Sequence, residues 1–361
     1  MNIDVREEIA SAPIGAYHRL IGVLIGLAVM FDGYDTFNAA YVIHYVMKPW
    51  GLAPSQAGFL VSSGLIGFMI GSLAQGKFSD RFGRRATLIG GLWIATIFSL
   101  GTATLANSFL SFCGMRLFTG IGLGALLPVG VTYMNEFSPR HLRNLFALWG
   151  WGLGWGIGGV LASVIGVYLT PTLGWQALYY VGSLSVVLAL VCHGVLPESL
   201  QYLAMRGNTG GIAKVLAKLN PAKAAAYLTN NVRFMLPEPS DKVASIGLLL
   251  EPRYRRATLA SWAAAFCVLF GIFGLTGWVP TVMLARGESF AASFGFGALI
   301  QGMAFIGSLI CGAIADKTHK PRVAISAWWL GGAFSLAMLA LVNVHTLNFF
   351  FIGLAGFCIL G

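Results

Sequence analysis

Charge is scarce in this sequence. Of 361 residues only 10% are Asp, Glu, Lys or Arg, while 57% are hydrophobic. A soluble domain carries about 25% charged residues, so the composition points away from a large water-exposed globule and towards a membrane. Acids are scarcer still, 13 against 23 bases. Cysteine is rare: Cys113, Cys192, Cys267, Cys311 and Cys358 all fall in apolar stretches, and none pairs at a metal-ligand spacing. That argues against a disulfide framework or a metal centre, and the five read as small apolar core residues. A cationic leader before a short apolar run is also missing. The opening MNIDVREEIASAPIGAYHRL mixes acids with bases, so the first apolar stretch is read as a retained span rather than a cleaved signal.

What the chain has instead is long apolar runs. A helix needs roughly 20 mostly apolar residues to cross the hydrocarbon. Candidate spans are 19–46, 56–76, 86–106, 110–134, 145–169, 174–196, 257–281, 293–314, 322–343 and 347–361, which predicts an all-α polytopic membrane protein. The bases follow alternate spans. Arg81, Arg84 and Arg85 follow the second, Arg140 and Arg143 the fourth, and Lys317, Lys320 and Arg322 the eighth. The opposite loops hold little beyond Lys48 and Arg286. This is the positive-inside pattern of a multi-pass protein of the cytoplasmic (inner) membrane with a cytoplasmic N-terminus. No basic face is interleaved with stacking aromatics outside the membrane, which argues against nucleic acid as the reason for the net +10 charge.

The longest interruption, 197–256, is polar and basic and carries five prolines. It reads as a linker between an N-terminal bundle (1–196) and a C-terminal one (257–361). Within it, GIAKVLAKLNPAKAAAYL is expected to form an amphipathic helix on the inner membrane surface. GKFSDRFGRR (76–85) and GAIADKTHKPR (312–322) then occupy corresponding places in the two halves, each with a glycine four residues before an aspartate. Such a repeat suggests a duplicated six-helix bundle, a recurrent transporter plan. Six spans precede the linker and four follow it, and the last run is FFFIGLAGFCILG. On the repeat argument two spans of a 6+6 plan are lacking, and the chain as given is expected not to transport.

In 76–85, Gly76 and Gly83 permit a tight turn, while Asp80 can cap the next helix or pair with an arginine. Arg81, Arg84 and Arg85 hold the loop to the cytoplasmic side. With Glu136, Arg143 and, in the second loop, Asp316, these form the candidate gate. The G-x-x-x-D-R-x-G-R-R order resembles the signature loop of the major facilitator superfamily. The arginine-led RLFTGIGLGALLP (116–128), the E-x-x-P-x-x-x-R of EFSPRHLR (136–143) and the P-E-S of LPESLQYL (196–203) are similar to further motifs of that family. DGYD (32–35) and the N-terminal IDVREEIASAPIGAYH resemble its aromatic acid:proton symporters. The second loop departs from the signature, with Lys317 for the arginine and His319 for the glycine. The resemblance implies a two-bundle carrier, without cofactor and working as a monomer, for a small aromatic carboxylate such as a hydroxybenzoate.

The residues agree with that in part. Asp32 falls near mid-membrane. Asp35 lies about 4.5 Å further along the helix and about 60° around it, so both can face one cavity. Desolvation disfavours a charged carboxyl, a second acid nearby does so again, and intramembrane acids are functional by default. The pair are candidate proton carriers. Arg116, inside the fourth span, either snorkels outward or meets a substrate carboxylate or a span 1 aspartate. Tyr34, Asn38, Trp151, Trp155 and Gln301 are candidate substrate contacts, although tryptophans at this spacing often merely pack. GWGWGLGWGIGGVLA sets Gly150, Gly154 and Gly158 on one face and Gly152 and Gly156 on another, for close helix packing that is either static or sliding. The expected function is proton-coupled import by alternating access. The alternatives are carriage of a sugar or aliphatic acid, or drug:proton antiport. An enzyme would need a nucleophile–base pair or converging metal ligands, and the sequence offers neither.

Overall fold

The structure, a computed structural model, describes residues 2–139, 154–229, 232–235, 246–318, 321–342 and 344–360. Strand β1 (Asn2–Asp4) and helix α1 (Val5–Ser11) lead into α2 (Ala16–Val46), α3 (Pro54–Phe82), α4 (Arg84–Leu105) and α5 (Phe109–Phe137). Then come α6 (Gly154–Tyr168), the short α7 (Thr170–Leu173), and α8 (Gln176–Ser183) with α9 (Ser185–Val195), interrupted at Leu184. The connecting segment holds α10 (Leu200–Met205), α11 (Thr209–Leu219), α12 (Ala224–Tyr227), β2 (Arg233–Met235) and α13 (Ile246–Leu249). It is followed by α14 (Arg255–Ala285), α15 (Phe290–Thr318), α16 (Pro321–Leu341) and α17 (His345–Ala355), which continues as a π-helical turn over Gly356–Leu360. Eight helices among the described residues are long and apolar enough to cross a membrane, and Gly154–Tyr168 and His345–Ile359 are shorter apolar helices.

Helix ends follow local chemistry. Pro54 opens α3, where its missing N–H costs nothing, and Gln56 reaches back to accept from the Ala53 N–H at 2.9 Å. Ser108 caps α5 by accepting from the Ser111 N–H. The α3–α4 junction is one residue, Gly83, at φ +96°, a backbone state that a side chain would strain.

Packing is closest where glycines meet backbone. α3 lies along α5, and a Cβ on Gly67 or Gly71 would fall against the carbonyl of Leu117 or Ile121. Gly120 and Gly124 face the Gly64 and Phe68 carbonyls in the same way. α2 lies along α6, where Gly154 and Gly158 abut the backbone of Gly26 and Met30. Since water cannot drive helices together in lipid, close backbone approach and its van der Waals gain do so. α6 also packs on α15, and α2 on α14, which joins the two sides of the linker. Gly150 and Gly152 lie outside the described residues.

The structure differs from the sequence expectation in the connecting segment. β1 and β2 form a parallel pair, Asn2 opposite Arg233, so the described residues include one small sheet beside the helices. The apolar face of α11 (Ile212, Val215, Leu216, Leu219) is buried in one core with Ile3, Val5 and Ile9 and with Leu196, Leu200 and Leu203. Its amphipathicity is therefore satisfied by protein rather than by a lipid surface.

Candidate functional site

The two acids of α2 receive different surroundings. The Asp35 carboxylate is held from three helices. Arg116 of α5 donates from Nη1 to Oδ2 at 2.6 Å and from Nη2 to the Asp35 carbonyl at 3.1 Å. Asn38 and Ser99 each donate to Oδ1 at 3.2 Å. The Arg116 guanidinium lies against the Tyr179 ring, 5.7 Å from its centroid, and is 3% exposed, so it does not snorkel. Gly64 makes room for it, since a Cβ there would sit 3.0 Å from Nη2.

Asp32 is fully buried with no such support. Asp35 and the Thr36 hydroxyl are its polar neighbours, but no hydrogen bond of ordinary geometry reaches either carboxyl oxygen among the described residues. The Asn38 Oδ1, Arg116 Nε and Tyr179 hydroxyl are also buried without hydrogen-bond partners there. Each buried polar atom left unpaired costs about 1–3 kcal/mol.

The other expected contacts divide. Tyr34, between the two acids in sequence, donates its hydroxyl to the Leu178 carbonyl at 2.8 Å, while its ring edge and Asp35 Oδ1 both border Gly182. Trp155 packs on Phe37 at 4.8 Å and on Phe273 at 6.4 Å between ring centroids. Gln301 is buried where α15 meets α6, beside Gly159. Trp151 lies outside the described residues.

At the end of the bundle that carries the basic loops, Arg84 is the hub. Its Nε pairs with Glu136 at 2.8 Å, and Nη1 and Nη2 donate to Ser199 at 3.0 Å and Gln201 at 2.8 Å. Ser199 in turn donates to Glu136 at 2.5 Å. Arg85 donates to the His193 carbonyl. The Arg81 carbonyl accepts from Tyr202 at 3.2 Å and from Arg206 at 2.9 Å.

Two expectations about this loop give way. Helix α3 runs through Gly76 to Phe82, so Gly83 alone makes the turn. The free N–H near the start of α4, that of Arg85, goes to Glu198 at 3.1 Å rather than to Asp80. The Glu198 carboxylate reaches back to the turn from the opposite chain segment, whereas Asp80 is exposed and makes no ion pair among the described residues. Asp316 lies near the end of α15, and Arg143 is outside the described residues.

Residue-by-residue reading missed Ser99, Tyr179, Glu198 and Ser199. The P-E-S motif contains the last two and was the available signal. Ser99 and Tyr179 stand in apolar spans with nothing to mark them. Among the described residues no group of His, Cys, Asp and Glu is placed to hold a metal ion.

The profile of the Major Facilitator Superfamily matches residues 23–361. The chain is 34% identical to the gallate transporter of Pseudomonas putida over 99% of its own length and 79% of that protein. It is 30% identical to the 4-hydroxybenzoate transporter of Acinetobacter baylyi over 100% of its own length and 79% of that protein. In fold it is similar to the xylose transporter XylE of E. coli in a partially occluded inward open conformation. There the TM-score is 0.72 at 19% identity, covering 95% of this chain and 85% of that one. A bacterial homologue of the human lysosomal transporter Spinster gives a TM-score of 0.74 at 16% identity, covering 96% and 74%. With a family profile over nearly its whole length and relatives at this identity, the chain belongs to the major facilitator superfamily and, within it, to the aromatic acid:proton symporter family.

Proposed function

We propose that this protein imports small aromatic carboxylates together with protons across the cytoplasmic membrane. Its basic loops and N-terminus lie on the cytoplasmic side, and it works as a monomer by alternating access. The 197–256 segment is then the cytoplasmic link between an N-terminal bundle (1–196) and a C-terminal one (257–361). The observation that carries this reading is the buried Asp35–Arg116 pair beside an unsupported Asp32.

An isolated carboxylate costs several kcal/mol to hold charged in such a place, so Asp32 is accommodated most cheaply as the neutral acid. When Asp35 takes a proton handed on from Asp32 it stops neutralising Arg116. A buried guanidinium cannot stay unpaired, so it needs a new anion. A substrate carboxylate supplies one, and the cation then binds it through two parallel hydrogen bonds. Proton and anion are thereby coupled: the site holds Arg116–Asp35 when empty, and Arg116–substrate with a protonated acid when loaded. Carrying a proton with the anion also removes the opposition of an inside-negative potential. The gallate and 4-hydroxybenzoate carriers among the relatives support the substrate class. The Arg84–Glu136–Ser199 cluster fits a cytoplasmic gate that breaks and re-forms in each cycle.

The test is substrate-dependent proton uptake into proteoliposomes over a panel of aromatic and aliphatic acids and sugars. Proton movement should accompany aromatic carboxylates alone and vanish in Arg116→Gln. Uptake of aromatic acids that is indifferent to an imposed pH gradient would refute the coupling. A preference for a sugar would refute the substrate class.

A further inference from the structure

The Arg116 cation has little freedom. A Cβ on Gly64 of α3 would stand 3.0 Å from its Nη2 and 3.4 Å from its Cζ and Nε, so the guanidinium has no room to swing towards that helix. Tyr179 of α8 presents its ring to it, with Cζ 5.7 Å from the ring centroid. That ring is itself fixed. It is fully buried, and Phe112 and Trp175 meet it at steep angles, 5.8 and 5.9 Å between centroids. Ser99 ties the Tyr179 backbone to the acid, being placed to donate to the Tyr179 carbonyl at 3.3 Å and to Asp35 Oδ1 at 3.2 Å. The Tyr179 hydroxyl, by contrast, has no hydrogen-bond partner among the described residues.

These contacts matter most when Asp35 is neutral and no substrate carboxylate has yet arrived. A guanidinium 3% exposed cannot be hydrated, and removing its counter-charge leaves the cost of burying it unmet. Among the described residues the ionisable groups around the pair are Asp32 and Tyr34 of α2 and Tyr179 itself, while α3 and α4 bring Gly64 and Ser99. With Asp32 in its neutral form, what remains to face the cation is the Asp35 carbonyl at 3.1 Å and the negative face of the Tyr179 ring. An aromatic face attracts a desolvated cation, and does so more strongly when no counter-ion cancels the cation's field.

We propose that Tyr179 is a positioning residue for proton coupling: its ring holds the Arg116 cation between protonation of Asp35 and arrival of the substrate carboxylate. The ring thereby favours the proton-bound, substrate-free state, in which the cation is unpaired. The empty and the loaded states each hold Arg116 in an ion pair, so the effect of the ring cancels between them. This rests on the proton–carboxylate reading above and adds to it the residue that makes the intermediate state accessible.

The test uses the full chain in lipid, with Tyr179→Phe and then the mono-, di- and trifluorinated forms of that phenylalanine, because fluorine drains the ring's negative face at nearly constant shape. Infrared titration follows the protonated-carboxyl band that Asp35→Asn removes. Tyr179→Phe keeps the ring and should leave the substrate-free midpoint close to that of the parent. Trifluorination should move it to lower pH by roughly half a unit, with the intermediate forms in order, because the neutral acid then releases a cation that nothing holds. Saturating 4-hydroxybenzoate should bring the whole series to one midpoint. Equal midpoints across the substrate-free series would overturn the inference. So would a shift in Tyr179→Phe as large as that of trifluorination, which would give the role to the hydroxyl. A shift that persists under saturating substrate would reduce Tyr179 to packing and overturn it as well. If benzoate, 4-hydroxybenzoate and gallate all leave the midpoint of the unaltered protein where it was, the proposed function itself fails. A response to these acids without a response to fluorination removes the role of Tyr179 alone.

Discussion

Asp35→Asn and Asp32→Asn are the same chemical change three residues apart, yet they should behave differently. Asp35→Asn leaves the Arg116 guanidinium buried without its counter-charge, a loss of about 3–5 kcal/mol when one partner of a buried pair is removed. Thermal unfolding in detergent should show that loss, and the double variant Asp35→Asn/Arg116→Gln should recover much of it. Asp32→Asn breaks no hydrogen bond of ordinary geometry among the described residues, so it should change stability by less than about 1 kcal/mol. It should nevertheless abolish accumulation driven by a pH gradient while largely sparing substrate-for-substrate exchange, which needs no net proton movement. Full gradient-driven accumulation by Asp32→Asn would make that acid structural. Equal destabilisation by the two single variants would mean that the partners assigned to Asp35 do not hold it. The sequence made both acids visible because a carboxyl in an apolar span is conspicuous. It could not separate their roles, since Arg116 is 81 residues from Asp35.

Within the helices, glycines divide by what lies across from them. Gly124 and Gly114 both stand in α5, but only Gly124 faces another backbone, that of Phe68 in α3. Gly124→Ala should push α3 and α5 apart at a cost of about 1–3 kcal/mol. Gly114→Ala meets nothing within 4 Å and should be neutral, or stabilising by up to about 1 kcal/mol through helix propensity. Equal melting temperatures for the two variants would show that α3 and α5 are not locked by this contact. A similar contrast applies at the basic end. Arg84→Gln or Glu136→Gln breaks a network that ties α4, α5 and the segment around Ser199 together, and should shift the balance between inward- and outward-facing states. Asp80→Asn removes an exposed charge and should have a much smaller effect. Spin-label distances across the two ends would read both. The motif announced that this loop matters, but which carboxylate pairs with which arginine depends on how α3, α4 and α5 are rotated about their axes.

At the level of the molecule, the N-terminal segment and the connecting segment form one docked layer on the first group of helices. β1 pairs with β2, and the carboxylate of Glu8 accepts from Lys223 at 3.0 Å and from Tyr227 at 2.7 Å. Burial opposes ionisation of Glu8. The hydrogen bonds from Tyr227 and Lys223, with the lysine's charge, outweigh it, so its pKa lies below the ordinary glutamate value. A carboxyl whose pKa is depressed on folding adds stability above its unfolded pKa, and that stability is lost as pH falls through the folded value. Glu8→Gln should therefore lower stability at pH 7, by less than about 1 kcal/mol because Lys223 is half exposed. Unfolding at pH 7 and below pH 4 checks this: the gap between variant and parent should close in acid. A gap that persists there would mean that the lost contribution is packing rather than charge.

Length and placement of apolar runs, alternation of basic loops, and carboxyls stranded in lipid-length helices were all settled by the sequence. Each is a local property: about 20 apolar residues span a bilayer whatever their neighbours are, and an acid among them is costly wherever the helix turns. The tertiary structure alone decided partners and faces. It gave Asp35 to Arg116 and left Asp32 bare, turned Tyr34 to Leu178, and set Glu198 rather than Asp80 over the start of α4. It also put the apolar side of Thr209–Leu219 on protein. These outcomes depend on the rotation of each helix about its axis and on glycine contacts between segments far apart in the chain. A residue's periodicity fixes its angle relative to its own helix but not relative to the next.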